Sequence, residues 1–287
     1  MAFVIPGKAI ARSLGDEVSG RAAAFGAWQG FAPALAVIQV GDDPASAIYV
    51  RRKIAECART GIRSIEHHLP ADTAEEALFA LIGALNRDPL VHGILVQLPL
   101  PDHVDAARLL DAIDPAKDVD GFHPVNVGRL SVGADGLIPC TPLGCMLLLD
   151  TVLSELRGKH AVVIFKSNIV GKPVALLLLE RECTVTVTHI ATQGLAEIVR
   201  TADIVVAAAG APHLVRGDWI RPGAVVIDVG ISRRIGPNGR AVIFGDCAAH
   251  EMDHAAAVTP VPGGVGPMTI ACFLSNTMKA AQASVDA

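Results

Sequence analysis

The sequence predicts an α/β protein with parallel-sheet cores. Short runs rich in Val, Ile and Ala alternate with helical patterns from one end of the chain to the other, which is typical of parallel strands joined by crossover helices. The chain has 287 residues, of which 51% are hydrophobic and 18% charged. It is therefore long enough for one large or two ordinary domains with a substantial core, and it is neither disordered nor fibrous.

The first half of the chain contains three predicted strands and a helix between the last two. The strands lie near residues 34–40, 62–68 and 93–98. Thr73-Ala-Glu-Glu76 has the hydroxyl-x-x-Glu spacing of a capping box. This spacing predicts a helix that begins there and ends near Arg87.

A second series of elements follows residue 139. Thr141 can cap a helix, and Pro142 suits the first helical position. Four strands are predicted near residues 161–165, 184–188, 204–208 and 224–228. Their continuous Val, Ile and Ala content suits strands covered on both faces. A last helix is predicted over about residues 268–283.

Charge and composition narrow the class of partner. The net charge is -5 and the sequence pI is about 6.0, with no basic cluster, which argues against nucleic acid. The N-terminus is unlike a secretory signal, and no apolar stretch has the length of a membrane span. We therefore expect a cytoplasmic protein that acts on small molecules. The six cysteines form no Cys-x-x-Cys pair and are expected to be buried thiols.

A run of glycine and proline near the C-terminus, residues 259–269, has unusual backbone properties. Its glycines can adopt positive φ or allow close approach to the main chain, while its prolines fix φ and remove an N–H. This run contains Pro260, Pro262, Gly263, Gly264, Gly266 and Pro267. It predicts either a rigid wall around a ligand or a structured linker to the last helix.

Tyr49 and Lys53 are four residues apart in a predicted helix, so their side chains project from one face. A phenol beside an ammonium group can bind an aromatic heterocycle and transfer a proton. The alternative is a surface lysine beside a half-buried tyrosine.

Ordered sequence blocks along nearly the whole chain resemble the methylenetetrahydrofolate dehydrogenase/cyclohydrolase family. They are Gly41-Asp-Asp-Pro-Ala-Ser46, Tyr49-Val-Arg-Arg-Lys53, Gly93-Ile-Leu-Val-Gln-Leu-Pro99, Lys117-Asp-Val-Asp-Gly-Phe-His123, Pro139-Cys-Thr-Pro142, Ser167-Asn-Ile-Val-Gly-Lys-Pro173, Asp228-Val-Gly-Ile231 and the glycine- and proline-rich run. Several such blocks in order are more specific than any single glycine motif.

The resemblance implies two domains with the substrate cleft between them. The first, residues 1–138 plus 263–287, is expected to be a discontinuous folate-binding catalytic domain. The second, residues 139–262, is expected to be a Rossmann-like NAD(P)-binding domain. The resemblance also implies a homodimer joined through the cofactor domains.

The resemblance further implies oxidation of 5,10-methylenetetrahydrofolate with NADP, followed by hydrolysis to 10-formyltetrahydrofolate. Lys53 matches the central catalytic group, Tyr49 the residue that positions the folate ring, and Gln97 the residue that orients the lysine. Asp120 matches the acidic residue that holds the pterin. Otherwise Gln97 is a polar residue at a strand end and Asp120 a turn residue before glycine. The implied folate contacts also include Leu98, Pro262, Gly263 and Gly266.

The implied cofactor site departs from the family pattern at two positions. Its residues are Phe165, Lys166, Ser167, Gly171, Ile190, Gly210 and Ile231. Phe165 stands where relatives usually carry glycine, and Ile190 where they often carry serine. No acidic residue ends the strand at 184–188, where an NAD-selective site usually has one. The sequence therefore predicts NADP with weakened selectivity, which leaves NAD possible.

Phe165 has two interpretations. Its ring can crowd the dinucleotide, which would make the protein mainly a cyclohydrolase. Alternatively, the ring turns into the core and only backbone atoms meet the cofactor.

Two other functions are alternatives to this enzyme: a zinc protease and a noncatalytic dinucleotide-binding protein. His250-Glu-Met-Asp-His254 matches the H-E-x-x-H pattern of zinc proteases. The chain after His254 has no further His or Glu to supply a third ligand, so no metal is expected. A noncatalytic dinucleotide-binding protein is disfavoured because Tyr49, Lys53, Gln97 and Asp120 occur together.

Overall fold

The computed structural model describes residues 1–235 and 241–286. Its strands are β1 (Phe3–Val4), β2 (Ala34–Val40), β3 (Arg63–Leu69), β4 (Gly93–Val96), β5 (His160–Ile164), β6 (Thr184–Thr188), β7 (Ile204–Ala207), β8 (Val225–Asp228), β9 (Ser232–Ile235), β10 (Ala241–Phe244) and β11 (Ala257–Val258). Its α-helices are α1 (Gly7–Gln29), α2 (Pro44–Thr60), α3 (Glu75–Arg87), α4 (Ala106–Asp111), α5 (Pro124–Ser131), α6 (Cys140–Asp150), α7 (Gly171–Glu180), α8 (Leu195–Val199) and α9 (Val265–Asp286). Short 3₁₀ turns lie at Gly217–Trp219 and Ala249–Glu251.

The chain forms two compact units. The six-stranded unit contains Met1–Ala11 and Thr141–Thr269, and the three-stranded unit contains Arg12–Cys140 and Ile270–Ala287. These bounds differ from the predicted domain bounds at residues 1–11, 139–140 and 263–269. Strand β1 pairs with β11 in register Phe3↔Ala257, which ties the N-terminal residues to the six-stranded sheet.

The three-stranded unit has a parallel sheet in the order β3-β2-β4. Every residue of the central strand β2 and of the edge strand β4 is buried. Apolar residues of α3 and α4, among them Ile82 and Leu109, complete the core on these strands. Continuous apolar runs are expected for parallel strands covered on both faces.

The six-stranded unit has a parallel sheet in the order β1-β11-β8-β7-β5-β6. Among the five strands of this sheet that follow α6, β5 comes first along the chain, yet it lies between β6 and β7. The strand order therefore reverses between β5 and β7, and ligands of such sheets bind at the carboxyl ends of the strands beside this reversal. The predicted α/β class with two parallel-sheet cores is confirmed.

The predicted capping box at Thr73 is wrong. Helix α3 begins at Glu75 with Ala74 as the N-cap residue, which has no side chain able to cap it. The hydroxyl of Thr73 instead donates to the carbonyl of Pro70 at 2.7 Å. Two acidic residues in the first turn favour this helix end electrostatically.

The predicted cap of α6 is also wrong. The helix begins at Cys140, so Thr141 lies inside its first turn, and the Thr141 hydroxyl is 3.0 Å from the Thr269 hydroxyl. Pro142 still lies in the first turn, where a missing N–H removes no helical hydrogen bond. The last helix is longer than the predicted range, because α9 begins at Val265.

The cysteines and the long helices of the fold bear on two expectations from composition. All six cysteines are buried, as predicted. Among the described residues, no helix combines the length and the apolar character needed to cross a membrane.

Replacing Gly20 with alanine is expected to raise the free energy of unfolding by about 0.5–1 kcal/mol. Gly20 is exposed in the interior of α1, and apart from the adjacent residues and backbone of its own helix no atom lies within 4 Å of the position that its Cβ would occupy. Alanine lowers the backbone entropy of the unfolded chain and favours the helix. Urea denaturation of both proteins tests this, and a lower stability of the variant would contradict it.

Candidate active site

The side chains of Lys53 and Gln97 meet in the three-stranded unit. Lys53, on α2, donates from Nζ to Oε1 of Gln97 at 3.3 Å. Gln97 directly follows β4, and its backbone N–H extends the sheet by donating to Ile38 at 2.9 Å. Its side-chain amide donates to the carbonyl of Leu98 at 2.6 Å. Because the NH₂ group is held by this carbonyl, the amide oxygen faces the lysine.

Helix α2 places Tyr49 one turn before Lys53. The helix is capped at its start by Asp43, whose carboxylate accepts the N–H of Ser46, and it ends at Gly61 with φ 77°. Tyr49 is exposed, and no group in the described part of the chain bonds its hydroxyl. Residues four apart on a helix share a face, so the phenol is available to a ligand on the same side as the lysine.

Asp120 lies at the end of a segment that runs beside β4, where Ile94 and Asp118 form a parallel bridge. The buried carboxylate of Asp118 accepts the N–H groups of Gly121 and His123 at 3.2 and 2.8 Å. Asp118 and Asp120 therefore have different roles. Asp118 holds the turn together, while Asp120 receives no hydrogen bond within the described residues.

The electrostatic surroundings of Asp120 are mixed. Burial raises the pKa of Asp120, the neighbouring Lys53 lowers it, and the charge of Asp118 raises it further. A half-buried carboxylate without a protein donor is costly. A ligand that brings N–H donors would remove this cost.

Helix α9 supplies two residues to this site that the sequence reasoning missed. Phe273 is 1% exposed, and its ring centroid lies 5.1 Å from Nζ of Lys53, a cation–π distance. Asn276 donates to the carbonyls of Val119 and Ile138, both at 2.8 Å, and so links the segment that ends at Asp120 to the segment that carries Ile138. A phenylalanine and an asparagine in a predicted helix carry no local signal of such roles.

Phe165 follows β5 in the six-stranded unit and has an unusual backbone. Its φ is 89°, a region that favours glycine. Its N–H donates to the carbonyl of Thr188 at 3.0 Å. The residue is 38% exposed, so it is not buried in the core, and contact of the cofactor with its backbone alone stays a prediction. Crowding of the dinucleotide by this ring stays a hypothesis.

The turn before α7 is shaped by Ser167. Its hydroxyl accepts the N–H groups of Val170 and Gly171, both at 3.2 Å. Gly171 lies so close to the preceding turn that a Cβ there would be 1.9 Å from the carbonyl oxygen of Phe165. Lys166 is exposed beside this turn. The turn thus offers a positive side chain, but two of its N–H groups are already bonded within the protein.

The remaining residues of the implied cofactor and folate sites also lie in the six-stranded unit. Ile190 is 97% exposed and Ile231 is 52% exposed. Gly210 and Gly263 have positive φ values of 66° and 110°, and a Cβ on Gly266 would lie 3.8 Å from Cδ1 of Ile231. Pro262 follows a cis peptide bond. Ligand contacts by these residues stay predictions.

The H-E-x-x-H segment does not form the helix that a zinc protease requires. Its first residues lie in the 3₁₀ turn Ala249–Glu251, Glu251 accepts the N–H of Gly217 at 2.9 Å, and His254 bonds the carbonyl of Ile220. Within residues 1–235 and 241–286, no group of three or more His, Cys, Asp or Glu side chains is placed to hold a metal ion.

Comparison with protein families gives two adjacent matches. Residues 5–120 match the family described as tetrahydrofolate dehydrogenase/cyclohydrolase, catalytic domain. Residues 139–285 match its NAD(P)-binding domain. Together the matches include most of the chain.

Individual relatives are similar over their full length. Bifunctional protein FolD 1 of Rhizorhabdus wittichii is 67% identical over 282 residues, which cover 98% of this chain and 96% of the relative. The crystal structure of the bifunctional FolD enzyme of Campylobacter jejuni has a TM-score of 0.94 and 45% identity, with 99% of each chain covered. The Trypanosoma brucei FolD structure, complexed with NADP cofactor and an inhibitor, has a TM-score of 0.94 and 42% identity, covering 100% of this chain and 99% of that one.

Proposed function

This chain belongs to the tetrahydrofolate dehydrogenase/cyclohydrolase family, and we propose that Lys53 is its central catalytic group. The protein is a methylenetetrahydrofolate dehydrogenase and methenyltetrahydrofolate cyclohydrolase. It oxidises 5,10-methylenetetrahydrofolate to the methenyl cation and then hydrolyses this cation to 10-formyltetrahydrofolate. No finding favours a protein that is mainly a cyclohydrolase.

The observation that carries the proposal is the lysine held by an oriented amide. Oε1 of Gln97 accepts a hydrogen bond from Nζ of Lys53 at 3.3 Å. The hydrogen bond from its NH₂ group to the carbonyl of Leu98 disfavours a flip of the amide. In hydrolysis, water adds to the methenyl carbon and loses its two protons in turn: one is released, and the other goes to a ring nitrogen as the C–N bond breaks. We assign this proton transfer to Lys53, which acts as general base and general acid.

The charge of the intermediate constrains the lysine. Two unit positive charges about 4 Å apart repel by roughly 4 kcal/mol in a partly screened site. The carboxylate of Asp120, which interacts electrostatically with Lys53, offsets part of this repulsion. The lysine must therefore release its proton or move away while the cation is present.

We assign folate binding to the groups around this pair. The paired oxygens of Asp120, which accept no hydrogen bond from the described residues, suit the amino and ring N–H groups of a pterin. Tyr49 presents a phenol beside the ring, and Leu98 follows the oriented glutamine.

We assign NADP to the carboxyl ends of β5 and β7, because the strand order reverses there. When bound, NADP accepts the hydride from the folate carbon. Exposed Lys166 supplies a positive charge next to this edge. Strand β6 ends at Thr188 without an acidic residue, so no carboxylate of this strand repels a 2'-phosphate. The T. brucei FolD structure also contains NADP.

Replacing Lys166 with glutamine is expected to weaken NADP binding about tenfold and to leave NAD binding within twofold. The expected loss corresponds to one charge-assisted contact, about 1.5 kcal/mol. Calorimetric titration with each dinucleotide measures it. Lys172→Gln is the matched control, because Lys172 is an exposed lysine bonded to Asn168 on the same turn. Equal losses for both dinucleotides would reject the assignment of Lys166 to the 2'-phosphate.

The two activities are tested separately. Methenyltetrahydrofolate hydrolysis is followed by its absorbance without dinucleotide, and dehydrogenation by the absorbance of the reduced cofactor. Absence of both activities in the folded wild-type protein would reject the proposed function. We also propose a cytoplasmic homodimer, which light scattering tests by a mass near twice 29.8 kDa.

A further inference from the structure

Two buried carboxylates lie at the carboxyl edge of the six-stranded sheet. Asp228 ends β8 and is 3% exposed, and Asp246 follows β10 and is 0% exposed. The side chains have no cationic partner among the described residues. Backbone N–H groups from three loops bond them instead, which offsets part of the cost of burying two carboxylates.

Both carboxylate oxygens of Asp228 accept hydrogen bonds. Oδ1 accepts from the N–H groups of Gly230 and Asp246, each at 2.9 Å. Oδ2 accepts from the N–H of Cys247 at 2.9 Å. Asp228 therefore joins the loop after its own strand to the loop that contains Asp246.

Asp246 uses only one of its oxygens in this way. Oδ2 accepts from the N–H groups of Ala209 and Gly210 at 2.6 and 3.0 Å. Oδ1 is buried without a hydrogen bond. The loop after β7 is thus held through Asp246, and Asp246 is held through Asp228.

Two glycines make room for these carboxylates. A Cβ on Gly230 would lie 2.2 Å from Oδ1 of Asp246, and a Cβ on Gly245 would lie 2.0 Å from Oδ2 of Asp228. The acidic side chains therefore pack directly against the main chain, where any larger residue would displace them.

The connected loops surround the proposed dinucleotide site. The loop after β7, residues 208–210, lies beside the strand-order reversal, and the loop after β8 carries Ile231. Consecutive N–H groups such as those of Ala209 and Gly210 form a concavity that commonly binds an anion. Here a carboxylate of the protein occupies it, so these groups shape the loop rather than bind a phosphate.

We infer that Asp228 and Asp246 are positioning residues, which hold the loops bearing Gly210 and Ile231 in the conformation that accepts NADP. This inference rests on the proposed function, since it concerns the same dinucleotide site. The two aspartates differ in what can replace them. Both carboxylate oxygens of Asp228 accept hydrogen bonds from backbone N–H groups, whereas only one oxygen of Asp246 does.

Charge is a secondary property of the pair. Burial raises the pKa of Asp228 to about 6, against three backbone N–H groups that lower it. Burial also raises the pKa of Asp246. The titratable group beside them is the Cys247 thiol, whose pKa burial raises well above its ordinary value. The link between the loops therefore depends on the positions of the hydrogen-bond acceptors rather than on an ion pair.

Asparagine substitutions test the inference. In Asp228→Asn the NH₂ group must face a backbone N–H in either orientation, and we expect the Kd of NADP to rise at least tenfold. In Asp246→Asn the amide oxygen can still accept hydrogen bonds from the N–H groups of Ala209 and Gly210, while the NH₂ group takes the position of the unbonded oxygen Oδ1. We expect a change of threefold or less. Calorimetry on folded protein at 20 °C measures both, because a role in stability alone would lower Tm without changing Kd.

Two further variants provide an alternative to Asp228→Asn and a control. If Asp228→Asn does not fold, Asp246→Ala removes the acceptor of Ala209 and Gly210 and is expected to weaken NADP binding at least tenfold relative to Asp246→Asn. Asp218→Asn, at an exposed aspartate paired with Arg200, is the control and should bind as wild type does. Wild-type protein that binds no NADP would reject the proposed function. Wild-type affinity in Asp228→Asn or Asp246→Ala would overturn the inference alone.

Discussion

Replacement of Lys53 by methionine is expected to lower the kcat of methenyltetrahydrofolate hydrolysis by about 10²–10⁴-fold, the usual contribution of a positioned acid or base. Methionine has a similar length and keeps the contact with Phe273, so the fold should persist, but it cannot exchange a proton. Stopped-flow absorbance of the methenyl substrate measures the effect. The change should appear mainly in kcat, because folate binding is assigned to other groups.

Arg52→Met is the matched control for this prediction. Arg52 is an exposed cationic residue on the same helix and next to the lysine, so its loss changes the net charge equally. We expect its kcat within twofold of the wild-type value. Cyclohydrolase turnover that survives in Lys53→Met, or falls equally in both variants, would reject the catalytic role of the lysine.

Replacement of Gly171 by alanine is expected to lower the free energy of unfolding by about 3 kcal/mol, at the upper end for overpacking. The new Cβ would lie 1.9 Å from the carbonyl oxygen of Phe165 and 3.1 Å from Cα of Lys166. These are backbone atoms, which cannot rotate away as a side chain would. Either the turn or the first turn of α7 must move.

The same displacement should weaken NADP binding, because Lys166 lies on the turn that moves. Urea denaturation measures the stability, and calorimetric titration measures the affinity. Gly20→Ala is the control, since that helical glycine has open space around it. A stability of Gly171→Ala equal to that of wild type would mean that the turn tolerates a side chain, against the geometry seen here.

Strand positions and the helix that carries the lysine were predictable because their signals are local. Continuous Val, Ile and Ala runs give fully buried strands such as β2 and β8, and the four-residue spacing of Tyr49 and Lys53 is realised on α2. The capping prediction at Thr73 failed for the opposite reason. A threonine hydroxyl can bond several nearby groups, and here it donates to the carbonyl of Pro70 instead of capping the helix.

The exposure of Phe165 also lay beyond sequence reasoning. An aromatic residue after a buried strand ordinarily continues into the core. Here the residue has a φ of 89° and is 38% exposed. Such a φ costs about 1–3 kcal/mol for a residue with a Cβ, so the surrounding turn must impose it.

By itself the sequence determined the α/β class, the order of the parallel strands along the chain, the family, and the residue types needed for folate chemistry, because these follow from local periodicity and ordered motifs. Only the tertiary structure decided that Phe273 covers Lys53 and that Asp246 occupies the N–H groups of Ala209 and Gly210. Both contacts join segments far apart in the chain. Their partners are chosen by packing and by the need to satisfy buried polar groups, which no short stretch of sequence records.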